Sequence, residues 1–327
     1  MTPAALPKIE LHVHLEGAIR PATLLEIANR NGLRLPFGTE AEAAQFYQFR
    51  DFTHFIEIWM LTTNVLQTAQ DYQQIVHDYA AEAAAHGAVY LEGIFSPFER
   101  IVRGIDPDEI FNGYCDGAAQ AQQEYAIQVR LTPDIGRQLD PAEVEPMIRD
   151  TFRYADRGVV GLGLGGNEAD SPAADWARCF ASARDGGLGS VPHAGESTGP
   201  AAVRDAVEVL GANRIRHGIG AATDSDLLAE LAERGIGCDV CPTSNVRTGV
   251  VPSLAAHPMP RMVAAGVACT VNTDDPAMFD TDLGREYAQL DRLGTTARQA
   301  YQAGVSGALC DEPTRARLRE IGAATNW

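Results

Sequence analysis

The sequence predicts an α/β fold, a single (β/α)8 barrel of the TIM-barrel type with a helical insertion after its first strand. Three observations predict it. Short apolar runs that read as strands alternate with longer amphipathic segments along the whole chain. There are eight such runs, enough for eight βα units. A length of 327 residues lies near that expected of one closed barrel of this kind.

The strand candidates are 9–14, 88–95, 128–133, 159–164, 189–193, 215–217, 237–241 and 267–273. Most are apolar on both faces, as strands buried between helices should be. Between them, 22–31 follows Pro21, a good first-turn residue, and 71–86 ends at Gly87, a helix stop. Segment 107–125 begins with proline after Asp106, an N-cap residue. Segments 141–155, 174–186, 199–210, 225–234 and 259–265 complete the helical set. A doubly wound open sheet is the alternative, but no Gly-x-Gly-x-x-Gly run follows a first strand, and the glycine-rich run 161–166 lies mid-chain. Segment 37–67 is longer than one crossover helix and rich in aromatics, so it reads as helices packed on the rim, with part of it lidding the catalytic face. No repeat, low-complexity tract or linker stands out, so residues 1–327 are expected to form one domain.

Composition narrows the function classes. With 26 basic against 44 acidic residues the net charge is −18, which repels phosphate backbones and anionic membranes, and no run of Lys and Arg offsets it. No nucleic-acid or membrane partner is therefore expected. The first residues carry no basic n-region or apolar core, and no stretch of about 18 apolar residues occurs, so a cytoplasmic location is expected. The cysteines, at 115, 179, 238, 241, 269 and 310, then read as reduced thiols. Cys238 and Cys241 have the C-x-x-C spacing, but on a strand these positions face opposite sides and no second pair exists.

The histidines are more informative. Of eight, His12, His14, His193 and His217 fall at strand ends, where barrel enzymes collect catalytic side chains. The others, His54, His77, His86 and His257, lie in helical or loop segments and receive no role. His12 and His14 alternate on a strand, so both rings point to one side and can share a metal. Adding His193 and Asp274, which end the fifth and eighth strands, gives three imidazoles and a carboxylate, a set that suits Zn²⁺ better than Mg²⁺ or Ca²⁺. Glu196 follows His193 by three residues, His217 could act as a base toward a metal-activated water, and Asp275 beside Asp274 could contact substrate.

Five motifs then occur in order: Leu11-His-Val-His-Leu-Glu-Gly-Ala-Ile19, His193-Ala-Gly-Glu196, Arg214-Ile-Arg-His-Gly218, Cys241-Pro-Thr-Ser-Asn245 and Asn272-Thr-Asp-Asp-Pro276. In this the chain resembles the adenosine deaminase family of metal-dependent amidohydrolase barrels, over about residues 7–290. The resemblance implies that His12, His14, His193 and Asp274 hold one Zn²⁺ per chain. It implies that Glu196 gives a proton to ring nitrogen 1 of a purine, that His217 orients and deprotonates the water attacking carbon 6, and that Asp274 shares in catalysis. Asp275 would meet ring nitrogen 7, and the backbone N–H of Gly166 would meet ring nitrogen 3. Cys238 and Cys241 would not be metal ligands.

The chain also departs from adenosine-specific members. Glu16 stands where they usually carry the aspartate that contacts the ribose 5′-hydroxyl, and Gly93 replaces a basic or bulky residue. In Glu16 the chain looks like adenine deaminases and deaminases of 5′-modified adenosines, such as aminodeoxyfutalosine. The stretch Gly165-Gly166-Asn167-Glu168 resembles the nucleoside enzymes more than the base enzymes. The expected substrate is therefore a small-molecule 6-aminopurine nucleoside, a 5′-extended one ahead of adenosine, with adenine as a further alternative. A non-catalytic purine-binding barrel should have lost a metal ligand or Glu196, and none is lost. Whether identical chains assemble is left open.

Overall fold

Period-2 alternation builds the barrel, and the first strand shows how. In β1 (Lys8–His14) Ile9 and Leu11 are fully buried against Tyr301, Val305 and Leu318 outside the barrel. Glu10 and His12, between them, make their contacts across the interior with Thr273 and Asp239. The computed structural model describes residues 6–169 and 171–327, except for the side chains of Phe52 and Thr53.

The remaining strands are β2 (Ala88–Phe95), β3 (Gln128–Gly136), β4 (Gly161–Gly165), β5 (Gly189–Ser190), β6 (His193–Ala194), β7 (Arg214–His217), β8 (Gly237–Val240) and β9 (Cys269–Val271). All pair in parallel, in the orders β1-β2-β3-β4-β5 and β6-β7-β8-β9. Past β9 the chain returns to β1: Asp274 N–H donates to His12 O at 3.1 Å and His14 N–H to Asp274 O at 2.7 Å, which closes the seam.

The fifth strand, expected to run unbroken over 189–193, is two short pieces. Pro192 between them has no N–H to donate. Val191 N–H still reaches Leu162 O at 2.9 Å, but beyond the proline Leu164 O is met by the His193 ring instead, 3.0 Å from Nδ1. The break in the ladder thus orients a side chain at the barrel mouth.

Fifteen α-helices surround the strands among the described residues. The chain runs through α1 (Pro21–Arg30), α2 (Glu40–Phe46), α3 (Phe52–Thr63), α4 (Ala69–Ala85), α5 (Phe98–Val102) and α6 (Pro107–Glu124). It continues with α7 (Pro141–Thr151), α8 (Ala177–Asp185), α9 (Pro200–Glu208), α10 (Ser225–Arg234), α11 (Pro242–Arg247) and α12 (Met259–Ala264). The last three are α13 (Leu283–Tyr287), α14 (Ala297–Gly307) and α15 (Glu312–Ala324). Their starts follow elementary capping: Asp106 and Asp140, each just ahead of a proline, accept from the backbone N–H two residues on, and Thr39 and Thr296 form capping boxes. The strand pattern did not signal α14. It packs on β1 and β9 outside the seam, because Gly304 lets its backbone approach the Ile9 side chain: a Cβ there would stand 2.7 Å away. No helix among the described residues is long and apolar enough to cross a membrane.

Burial also traps an acid beneath the loops that follow β8 and β9. Glu286 on α13 is fully buried, accepting from Thr281 Oγ1 at 2.5 Å and Thr243 N–H at 3.3 Å, and burial pushes its carboxyl up to about 7. A folded pKa raised above the unfolded value near 4.5 means that its stabilising share is complete below pH 4.5 and is lost as pH rises through 7. The swing is up to about 3 kcal/mol. Glu286→Gln should therefore gain stability relative to wild type at pH 8 and not at pH 5, by urea unfolding. An equal change at both pH values would contradict the assignment.

Candidate active site

Four side chains meet where the seam closes. Nε2 of His193 lies 3.1 Å from Nε2 of His12 and 3.2 Å from Nε2 of His14, while Asp274 Oδ1 is 3.2 Å from His12 and 3.4 Å from His14. Ligands about 2.1 Å from a tetrahedral cation stand about 3.4 Å apart, so this spacing fits one divalent ion among four ligand atoms. The expected set His12, His14, His193 and Asp274 is thus brought together as a group able to hold a metal.

The surroundings favour neutral, correctly turned imidazoles. Burial, then the Arg216 guanidinium, pulls His12 down to about 3; burial pulls His14 to about 3 and His193 well below its usual value. His12 Nδ1 lies 3.2 Å from Asp239 O and His193 Nδ1 lies 3.0 Å from Leu164 O, so each ring donates from Nδ1 and offers Nε2. The second oxygen of Asp274 accepts from Ser244 Oγ at 2.6 Å.

His217 reaches the same space through an unusual backbone. Alternation along β7 directs Arg214 and Arg216 inward, yet φ of +59° at His217 turns it to the mouth as well. Its Nε2 lies 3.6 Å from Glu196 Oε2 and 3.8 Å from Asp274 Oδ2. Its tautomer follows from a chain of hydrogen bonds. Met259 N–H donates to His257 Nδ1 at 3.1 Å, so His257 donates from Nε2 to Asn245 Oδ1 at 3.2 Å. The Asn245 amide then donates to His217 Nδ1 at 3.1 Å, which leaves the proton of neutral His217 on Nε2. His257, given no role from sequence, is the anchor of this chain.

Glu196 is held by a carboxylate that sequence reasoning quoted but did not assign. Glu168 accepts the N–H groups of Gly195, Glu196 and Ser197 at 2.6, 2.7 and 3.1 Å, and the Thr198 hydroxyl at 2.5 Å. This clamp fixes the loop that presents Glu196. Burial first, then Asp274 and Glu168, raises the Glu196 carboxyl well above its usual value, which favours its protonated form. A second missed anchor is Arg137, whose guanidinium donates to His193 O at 2.8 Å and Ser171 O at 2.6 Å.

Together these groups floor a cavity of about 530 Å³. His14, His193, His217, Glu196, Asp274, Asp275 and Gly166 line it, with Phe55, Trp59, Ile135, Leu139 and Phe279 supplying apolar wall. Phe55 and Trp59 come from α3, so the segment 37–67 both packs on the rim and walls the cavity. Asp275 is buried with Oδ1 unpartnered among the described residues, and burial raises its carboxyl well above the usual range. Gly17 makes room for it, since a Cβ there would stand 1.7 Å from Oδ1. Gly166 has φ of +95°, a glycine conformation that exposes backbone to the cavity.

One expectation changes and one holds. Glu16 does not reach the cavity: it is fully buried behind the wall, where Oε1 accepts Ser96 N–H at 2.8 Å and lies 3.3 Å from Arg100 Nη1. Arg100 and Ser96 line the cavity in its place, because a buried carboxylate is held by the guanidinium beside it. Cys241 Sγ comes within 4.8 Å of nitrogens of His12 and His217, but burial and nearby acids push its thiol well up, so it lacks thiolate character. Cys238 lies against Gly218, whose Cβ would meet its sulfur at 2.5 Å.

Comparison with known proteins agrees with this geometry. A family model described as adenosine deaminase matches residues 7–323. The chain is 55% identical to an aminodeoxyfutalosine deaminase of Acidothermus cellulolyticus, over 99% of this chain and 93% of that one. Among solved structures it resembles an adenine deaminase from Arthrobacter aurescens, with a TM-score of 0.92, 28% identity and 98% of both chains covered. It also resembles an amidohydrolase from Burkholderia ambifaria with bound zinc, with a TM-score of 0.88, 28% identity, and 98% of this chain and 90% of that one covered. From the convergent histidines at the seam to the match along nearly all its length, the chain belongs to the adenosine deaminase family, hydrolases that act on C–N bonds.

Proposed function

We propose that the protein hydrolyses the 6-amino group of a purine nucleoside, giving the 6-oxo purine and ammonia. The observation that carries this reading is the convergence of a complete metal-ligand set with Glu196 and His217 on one cavity floor. We read residues 1–327 as one deaminase domain. Three imidazoles and a carboxylate suit Zn²⁺. When bound, Zn²⁺ supplies a Lewis acid that brings the pKa of a water down to about 7.

The chain's own groups do the rest. Glu196 gives its proton to ring nitrogen 1, which makes carbon 6 electrophilic. His217, with its proton on Nε2, holds the attacking oxygen as a donor rather than acting as the base. Asp274 Oδ2 takes the proton of the attacking water and passes it to the amino group, which leaves as ammonia. The hydroxyl proton of the tetrahedral carbon returns to Glu196, so no net proton is consumed by the protein. Asp275, protonated, donates to ring nitrogen 7, and the Gly166 N–H meets ring nitrogen 3. Glu16 acts indirectly, by holding Arg100 in the wall.

Within the nucleosides, a 5′-extended one such as aminodeoxyfutalosine is favoured. The support is the Acidothermus cellulolyticus relative and a cavity that runs from the histidines out to Met60, Val102 and Arg103 at the rim. Free adenine is the second reading, carried by the likeness to the Arthrobacter aurescens enzyme.

Three measurements test the proposal. Elemental analysis should find about one zinc per chain in wild type and almost none in His193→Ala/Asp274→Ala; full zinc in that variant would remove the assigned site. Glu196→Gln should keep its zinc and lose about 10²- to 10⁴-fold in kcat, and unchanged turnover would remove the proton-donor role. Ammonia release from aminodeoxyfutalosine, adenosine and adenine should rank them in that order by kcat/KM. Adenine first would overturn the nucleoside reading, and adenosine first the 5′-extended one.

A further inference from the structure

Five carboxyl groups line the cavity, and four are accounted for. Glu196, Asp274 and Asp275 belong to the reaction, and Asp134 is paired with the Arg216 guanidinium. The fifth, Glu99 on α5, has no task in the fold. Its Oε1 accepts one hydrogen bond, from Gln138 Nε2 at 3.1 Å, and its buried Oε2 accepts none from any other described residue. Leaving a buried carboxyl oxygen unmatched costs about 1–3 kcal/mol, which argues for a partner supplied from outside the chain.

The surroundings say which part of a ligand would supply it. Gln138, which holds Glu99, also lies beside Gly166: a Cβ on Gly166 would stand 3.4 Å from Gln138 Oε1. Gly166, Gln138 and Glu99 therefore follow one another along the wall. In a purine nucleoside, ring nitrogen 3 and the sugar-bearing nitrogen 9 are bonded to the same ring carbon. A group next to the Gly166 N–H on the wall thus faces the sugar, on the side away from the metal cluster. A carboxyl group backed by a carboxamide is chemically matched to sugar hydroxyls, which donate to it singly or as a vicinal pair. Burial also raises the Glu99 carboxyl to about 7, so near neutral pH it can accept from or donate to a hydroxyl.

Backbone design at the site agrees with this. Gly136 sits beneath the pair, and a Cβ there would stand 2.0 Å from Glu99 Oε1 and 2.5 Å from Gln138 Nε2. Any side chain at 136 would push the two apart, so the glycine makes space for them.

We propose that Glu99, braced by Gln138 over Gly136, is the specificity-determining residue that binds the 2′- and 3′-hydroxyls of the substrate's sugar. The inference rests on the nucleoside reading above and adds which wall group separates a nucleoside from a free base.

The test compares Glu99→Leu with wild type on adenosine, 2′,3′-dideoxyadenosine and adenine. Loss of a hydrogen bond to a charged group is expected to lower kcat/KM for adenosine about 10- to 100-fold, chiefly through KM. The dideoxynucleoside and adenine should change by less than about threefold. Glu99→Gln, which still accepts and donates, should recover most of the adenosine rate. Gly136→Ala should show the same selective loss without removing the carboxyl, and it serves should Glu99→Leu not fold. Calorimetric binding of inosine against 2′,3′-dideoxyinosine should repeat the pattern without turnover. An equal loss on adenosine and its dideoxy analogue, or no loss on either, would overturn the role of Glu99 while leaving the nucleoside reading intact. Wild type that deaminates adenine but neither turns over adenosine nor binds inosine would overturn both.

Discussion

Two buried guanidiniums set the geometry on which the site depends. Barrels of this class usually fill their interior with layers of branched apolar side chains. Here Arg214 reaches across to Glu92 at 2.6 Å and pairs with Asp239, while one turn of the pleat further on Arg216 pairs with Asp134 and donates to Thr132 at 2.7 Å. Removing one partner from a buried pair costs about 3–5 kcal/mol, because the other charge is then left dry and alone. The network therefore tolerates one arrangement of β2, β3, β7 and β8. Asp239 shows the coupling directly, since its side chain holds Arg214 and its carbonyl faces His12 Nδ1. The same positive charge sits beneath the imidazoles and opposes their protonation, which keeps their lone pairs available.

At the mouth, regular structure is given up at the positions that carry chemistry. His217 and Asp274 are two of the three residues other than glycine with positive φ among the described residues. Such backbones cost about 1–3 kcal/mol each and persist where the surroundings over-determine them. For Asp274 the surroundings are the two hydrogen bonds of the seam and the Ser244 hydroxyl. For His217 they are the Asn245 amide and the buried arginine before it. The proline break before His193 works in the same spirit, trading a ladder bond for a ring orientation.

Sequence made the site legible only as far as local pattern reaches. His12 and His14 show themselves by alternation, and His193, His217 and Asp274 by lying at strand ends. Glu168 could not be found this way: it clamps residues about 30 positions further on, and only the packing of two loops brings them together. The Asn245–His257 chain is hidden for the same reason, though Asn245 lies inside a recognisable motif. Glu16 was misjudged because one residue's reach depends on its neighbour: Arg100, distant in sequence, draws the carboxylate behind the wall. The strand pattern was legible in number but not in detail, since a single proline divides the fifth strand, and the outer helices α13 to α15 follow no strand signal.

The seam has a consequence for biogenesis. Two of the four candidate ligands come from the first strand and one from beyond the last, so the cluster joins the two ends of the barrel. A chain still emerging from the ribosome has His12 and His14 early but lacks Asp274 until its last strand has been made. The full set of candidate ligands therefore exists only once the barrel has closed, and an ion held there would tie the first strand to the last. An ion held at this cluster would act as a clasp on the closed barrel as well as in the reaction.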